Sequence, residues 1–224
     1  MAQDHPFYSP STHGFVRVGA ATPVVATADP AANARAHVEL MRRGAEAGVR
    51  LLVFPELSLS AYAVDDLLMQ DALLVEVERR IGELADVADE LGLVAVFGAP
   101  VRQGDALFNC AVVVGPGGVL GVVPKTYLPN YREYYEKRWF APAAARSDDT
   151  VTLNGETVDF APGLVFEAVD RAGFVFAAEI CEDFWAPQPP STRAALAGAR
   201  ILCNLSASNI VIGKAEEREL LCAS

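Results

Sequence analysis

Three residues of types that can run chemistry each follow directly on an apolar, β-rich run. Glu56 follows Leu51-Leu52-Val53-Phe54-Pro55, Lys125 follows Gly121-Val122-Val123-Pro124, and Cys181 follows the run from Phe174 to Ile180. Pro55 and Pro124 fix the backbone just before the reactive group, and Pro187, Pro189 and Pro190 forbid any regular continuation of the third run. In an α/β sheet the carboxyl ends of strands line the crevice where ligands bind, so Glu56, Lys125 and Cys181 are expected to converge there. The chemistry such a trio can perform is acyl transfer at an amide. A free thiol titrates near 8.5, so only about 3% is thiolate at neutral pH and a neighbouring carboxylate is needed to take the proton. Glu56 is the candidate base. Lys125 is the candidate cation for the oxygen of the attacked carboxamide, where one well-placed donor contributes about 2.7–4 kcal/mol. Loss of ammonia would leave a thioester for water to hydrolyse. Singly, each residue has a plainer reading: a small packed cysteine, and charges solvated in loops.

The elements that must position these groups follow from patterning. Residues 1–13 read as a polar lead-in. Phe15 to Ala21 alternates like a strand, and a helix begins at Pro30 after the N-cap candidate Asp29, with Ala34, Val38, Leu40 and Met41 on one face, ending at Gly48. Val49 to Phe54 is a buried-type strand, a half-buried helix covers about Leu73 to Leu91, and Leu93 to Phe97 is a third strand. Leu107 to Val114 and Val119 to Val123 form a hairpin around Gly115-Pro116-Gly117-Gly118, and a second hairpin closes at Asn154-Gly155. Between the hairpins, residues 125–149 form a long irregular segment of the kind that usually carries function. After the cysteine strand come a short helix around Thr192 to Leu196, the strand Arg200 to Leu205 and a helix from Lys214 to Ser224. Strands alternating with helices indicate a mixed α/β domain.

Composition narrows the partners. The chain has 224 residues, 52% hydrophobic and 21% charged, which suits one globular domain. Its net charge of −11 argues against nucleic acid or an anionic membrane surface as a partner. No basic-then-apolar leader opens the sequence. Cys110, Cys181, Cys203 and Cys222 are widely spaced and share no metal-like pairing with His5, His13 and His37, so neither a zinc site nor a disulfide framework is expected. A reducing cytoplasm is the expected compartment. GPGGVLG and IGKA lack the residues of a dinucleotide fingerprint and a P-loop, and no GxSxG is present.

FPEL at Phe54 to Leu57, PKTYLPNYREYYEKRWF from Pro124 to Phe140, and ICEDFW from Ile180 to Trp185 resemble the nitrilase (carbon–nitrogen hydrolase) superfamily. The LPNY-x-x-E stretch, CEDFW and NLSASN at Asn204 to Asn209 are similar to one branch of it, the N-terminal glutaminase domain of glutamine-dependent NAD synthetases. The resemblance implies an α-β-β-α sandwich, no metal in this domain, and hydrolysis of L-glutamine to glutamate and ammonia. The ammonia would serve a second domain that amidates deamido-NAD with ATP and Mg. On the matching positions, Glu56 would be the base, Lys125 the oxyanion-side cation, Cys181 the nucleophile and Glu133 the auxiliary glutamate that orients the lysine. Tyr62, Tyr131, Glu182 and Ser208 would hold glutamine, and the assembly would be a homo-oligomer.

Two departures accompany the resemblance. Ala61 stands in SAY where the family usually has glycine, which matters if that position needs a positive φ. The chain also stops at Ser224, so residues 14–224 are expected to be an incomplete, C-terminally truncated hydrolase domain without its synthetase domain, exposing an apolar sheet edge. Two other readings remain: a stand-alone amidase or carbamoylase of the same superfamily, and an inactive truncated interaction module.

Overall fold

In a computed structural model, which describes residues 6–8 and 10–223, the chain folds as four layers of helix, sheet, sheet and helix. Helix α1 (Pro30–Glu46) starts where expected, with the Asp29 carboxylate accepting the Ala32 N–H at 2.9 Å and Pro30 in the first turn. Helix α2 (Asp71–Leu91) stops at Gly92, whose φ of +59° permits the left-handed cap. Their apolar stripes, Ala34 and Met41 on α1 and Val77, Ile81, Leu84 and Ala88 on α2, cover one face of a five-stranded sheet.

That sheet has the order β1 (Val18–Ala20), β2 (Leu51–Val53), β3 (Val94–Gln103), β4 (Ala106–Gly115), β5 (Gly118–Pro124). The first three strands are parallel, and β3, β4 and β5 run antiparallel. Period-two alternation splits its residues between two cores. Leu52, Ala95, Phe97, Val112 and Val122 face the helices. Leu51, Val96, Ala111, Val113 and Val123 meet Phe176, Ala178, Ile180, Cys203 and Leu205 of the second sheet. Both faces being covered explains why these strands read as nearly unbroken apolar runs.

The hairpin of β6 (Thr150–Leu153) and β7 (Glu156–Asp159) turns at Asn154-Gly155. The second sheet has the order β10-β9-β8, from β8 (Val165–Glu167), β9 (Val175–Ile180) and β10 (Ile201–Leu205). Helix α3 (Pro190–Leu196) packs on its outer side, and α4 (Lys214–Ala223) closes the described chain. Strand β8 escapes a reading by periodicity because three residues are too few to show one. Residues 125–149 are irregular apart from short 3-10 turns at Glu136–Arg138 and Ala143–Ala145, as expected. Of the lead-in, Pro6–Tyr8 and Pro10–His13 form 3-10 turns; residues 1–5, Ser9 and the expected helix end at Ser224 lie outside the described residues. Among the described residues, no helix is long and apolar enough to cross a membrane.

Candidate active site

Glu56, Lys125 and Cys181 do meet, at the carboxyl ends of β2, β5 and β9. The Lys125 ammonium donates to Glu56 Oε1 at 2.6 Å, and both residues are almost wholly buried. Glu56 Oε1 also accepts Asn109 Nδ2 at 2.8 Å, and Oε2 accepts the Ala207 N–H at 2.9 Å. The Cys181 sulfur lies 3.5 Å from Ser208 Oγ.

The auxiliary carboxylate is where the expectation needs correcting. Glu133 does not reach Lys125: it is exposed and bonded to the Asn209 side chain. Glu136 takes that place, its Oε1 accepting Lys125 Nζ at 2.8 Å and the Tyr62 hydroxyl at 2.7 Å. The reason is packing. Glu136 opens a 3-10 turn in which its N–H bonds to Pro129 O and its carbonyl accepts Phe140 N–H, and the buried Phe140 holds that turn inward. Tyr62 is therefore tied to the lysine network through its hydroxyl. Tyr131 and Glu182 are also brought together, with the Tyr131 hydroxyl donating to Glu182 Oε2 at 2.8 Å. Tyr131 stacks edge-on against Tyr134, whose hydroxyl accepts the N–H of Asn209 next to Ser208.

Electrostatics follow from this burial. Burial pulls the Lys125 ammonium toward neutrality, but Glu56 and Glu136 outweigh it and hold the pKa above the ordinary lysine value. Burial pushes Glu136 up against the opposing pull of Lys125. The Cys181 thiol is pushed up to about 11, first by burial and then by Glu56, with Lys125 and Ser208 pulling the other way. A thiol so raised is protonated at neutral pH and needs a neighbouring base before it can act as a nucleophile.

Both reactive loops adopt backbone conformations that the linear sequence does not announce. Cys181 has φ +47° as the first residue of a 3-10 turn (Cys181–Trp185) directly after β9, and Leu57, next to Glu56, has φ +48°. Non-glycine residues held in this region cost energy and are kept where surrounding structure over-determines them. Around Cys181 that role falls to buried Asp183, whose carboxylate accepts the N–H groups of Tyr127 at 2.7 Å, and of Thr126 and Ile180 at 3.1 Å each. One carboxylate thus ties the segment after Lys125 to the cysteine elbow. Burial pushes it up to about 7 while the Tyr127 and Ile180 amides pull it down.

Around Glu56, the buried loop finds its partners on α1 and β3. His37 Nδ1 donates to Asn33 O at 2.7 Å, leaving Nε2 to accept from Ser58 Oγ at 2.9 Å; burial lowers this imidazole to about 4, keeping it neutral. Asn33 Nδ2 donates to Leu59 O at 3.0 Å. Ala61 has φ +73°, so the position does demand the left-handed region and alanine adopts it. Ala61→Gly is expected to be tolerated. Ala61→Val, β-branched and facing a buried loop, is expected to cost roughly 3 kcal/mol. That corresponds to a fall in Tm of roughly 6–12 °C. Thermal melts check this, and an unchanged Val variant would show that the loop adapts.

A four-layer sandwich with Glu, Lys and Cys at its strand ends defines a nitrilase-like hydrolase domain. The chain belongs to the carbon–nitrogen hydrolase family, whose sequence profile matches residues 16–218. It is 49% identical over 218 residues to the glutamine-dependent NAD(+) synthetase of Mycobacterium tuberculosis, covering 97% of this chain and 32% of that protein. The crystal structure of a glutamine-dependent NAD(+) synthetase from Cytophaga hutchinsonii superposes with a TM-score of 0.76 at 25% identity, over 92% of this chain and 33% of that one. An amidase from Nesterenkonia sp. shares the fold, with a TM-score of 0.70 at 20% identity over 90% of this chain and 69% of that one. The chain spans about a third of the length of the synthetases it matches.

Proposed function

We propose that this chain is the glutaminase part of a glutamine-dependent NAD(+) synthetase, hydrolysing L-glutamine to glutamate and ammonia through a thioester on Cys181. The observation that carries the reading is the buried Glu56–Lys125 pair at 2.6 Å beside the strained Cys181 elbow. In the reaction, Glu56 takes the thiol proton as sulfur attacks the carboxamide carbon. The ammonium of Lys125 has three N–H donors, two of them committed to Glu56 and Glu136, and the third serves the oxyanion. Collapse of the tetrahedral adduct expels ammonia, which carries off the proton held by Glu56. Water then gives a proton to Glu56 and its oxygen to the thioester, releasing glutamate and restoring the thiol. Tyr131, Glu182 and Ser208 border the sulfur and are proposed to hold the amino-acid end of glutamine, with Tyr62 acting through Glu136.

The choice of glutamine rests on the synthetase relatives. The ammonia is proposed to pass to a synthetase domain that uses ATP and Mg, within a homo-oligomer. A reducing cytoplasm suits the four free thiols.

The test is ammonia release from glutamine by the purified chain, together with mass spectrometry of the acyl adduct. Burial raises the thiols of all three core cysteines, Cys203 to about 12, so basicity does not separate them; position beside Glu56 and Lys125 does. Cys181→Ala is expected to lower the rate by at least about 10⁴-fold and remove the adduct, while Cys110→Ala and Cys203→Ala keep both. Equal loss in all three, or no adduct on Cys181 in the wild type, would overturn the proposal. Hydrolysis of other small amides with equal kcat/KM would move the assignment to a stand-alone amidase.

A further inference from the structure

Asn109, in the middle of β4, has no exposed surface and touches both charged members of the site. Its Nδ2 donates to Glu56 Oε1 at 2.8 Å, and its main-chain carbonyl accepts the Lys125 N–H at 2.8 Å. Its own Oδ1 is buried without a hydrogen-bond partner among the described residues. An orphaned buried amide oxygen costs about 1–3 kcal/mol, a cost that an apolar residue in this core strand would avoid. The opposite amide orientation would set Oδ1 against a carboxylate, so the donor must face Glu56.

With Asn109 and Lys125 both on Oε1, the Glu56 carboxylate cannot turn about its last torsion without breaking two charge-assisted bonds. Its other oxygen, Oε2, accepts the Ala207 N–H and keeps a lone pair to spare. We infer that Asn109 is a positioning residue for the reaction, locking Glu56 so that Oε2 alone receives the Cys181 proton and later activates water. This rests on the reading of Cys181 as nucleophile and Glu56 as its base, but not on glutamine as substrate. The titratable groups facing Glu56 are Lys125, Glu136, Cys181, Tyr62 and Tyr134.

The experiment compares wild type, Asn109→Asp and Asn109→Leu by iodoacetamide alkylation of Cys181 across pH, read by peptide mass, and by glutaminase kcat and KM. In Asn109→Asp the donor becomes a second carboxylate against Oε1, which disfavours the ionised form of Glu56. The acid limb of alkylation is expected to move up by about one pH unit, and kcat to fall about 10- to 100-fold with KM held within about threefold. Asn109→Leu keeps the branching at Cγ and removes both the Nδ2 donor and the orphaned oxygen, and alkylation at pH 7 is expected to slow about 10-fold. An Asn109→Asp alkylation profile superimposed on that of the wild type overturns the inference. So does an Asn109→Leu protein that alkylates at the wild-type rate, which decides the matter if the Asp variant does not fold. If the wild type releases no ammonia from glutamine yet the alkylation shifts appear, the substrate assignment fails and the role of Asn109 stands.

Discussion

Glu136→Gln is expected to lower kcat/KM for glutamine hydrolysis by about 10²-fold, while Glu133→Gln leaves it within about threefold. Two residues separate the two glutamates, but their surroundings differ entirely. Glu136 is buried and holds the Lys125 ammonium at 2.8 Å as the second carboxylate beside Glu56. With Gln there, the ammonium loses one of two charged partners and is drawn toward Glu56, away from the oxyanion and onto the group that must act as base. The loss should fall on kcat, because the interaction matters most as charge develops on the substrate oxygen. Removing one partner of a buried ion pair also costs roughly 3–5 kcal/mol, so Tm must be recorded beside the kinetics. Glu133 lies exposed against Asn209, and its amide analogue keeps that contact. Equal losses at the two positions, in variants that both remain folded, would return the auxiliary role to Glu133.

Gly98→Ala is expected to be the most damaging single methyl in the molecule. A Cβ built on Gly98 would stand 2.0 Å from Leu57 N and 2.7 Å from Glu56 Cα. Both are backbone atoms, so no side-chain rotation relieves the clash. The loop cannot simply withdraw, because Gly98 N–H donates to Pro55 O and Gly98 O accepts Leu59 N–H. Overpacking of this kind costs about 3 kcal/mol or more, a fall in Tm of roughly 6–12 °C for a domain of this length. The displaced Glu56 should also lower kcat/KM by about 10²-fold, since a misplacement near 1 Å has that effect. Thermal melts and ammonia release measured together check the pair, and a variant with wild-type values of both would show that the loop and β3 separate freely.

Much of this protein is legible along the chain. Helix α1 follows from the cap at Asp29, both α1 and α2 follow from their apolar stripes, and the hairpins at Gly115–Gly118 and Asn154-Gly155 follow from their turn residues. The trio of Glu56, Lys125 and Cys181 is legible for a related reason: each is adjacent in sequence to the strand that carries it, so locating the strand locates the group. The motifs around them point to the family that the sequence profile shows. Glu136 was not legible in this way. It sits in an irregular segment without periodicity, where neighbouring acids of one type are equivalent until the chain is folded.

By itself, then, the sequence determined most of the elements, though not β8 or the extension of β3 to Gln103, and which thiol, carboxylate and ammonium end beside one another. Only the tertiary structure decided how those groups are held: Glu136 rather than Glu133 on the lysine, Asp183 bridging two loops, His37 and Asn33 under the Glu56 turn, Asn109 on its carboxylate, and Gly98 leaving room for its backbone. The physical reason is range. Capping, alternation and turn chemistry act over a few residues and leave a local mark. Asn109 and Glu56, by contrast, are 53 positions apart and Asp183 and Thr126 are 57, and such hydrogen bonds form only where strand pairing within a sheet, for the first, and packing of two sheets, for the second, bring the partners within reach.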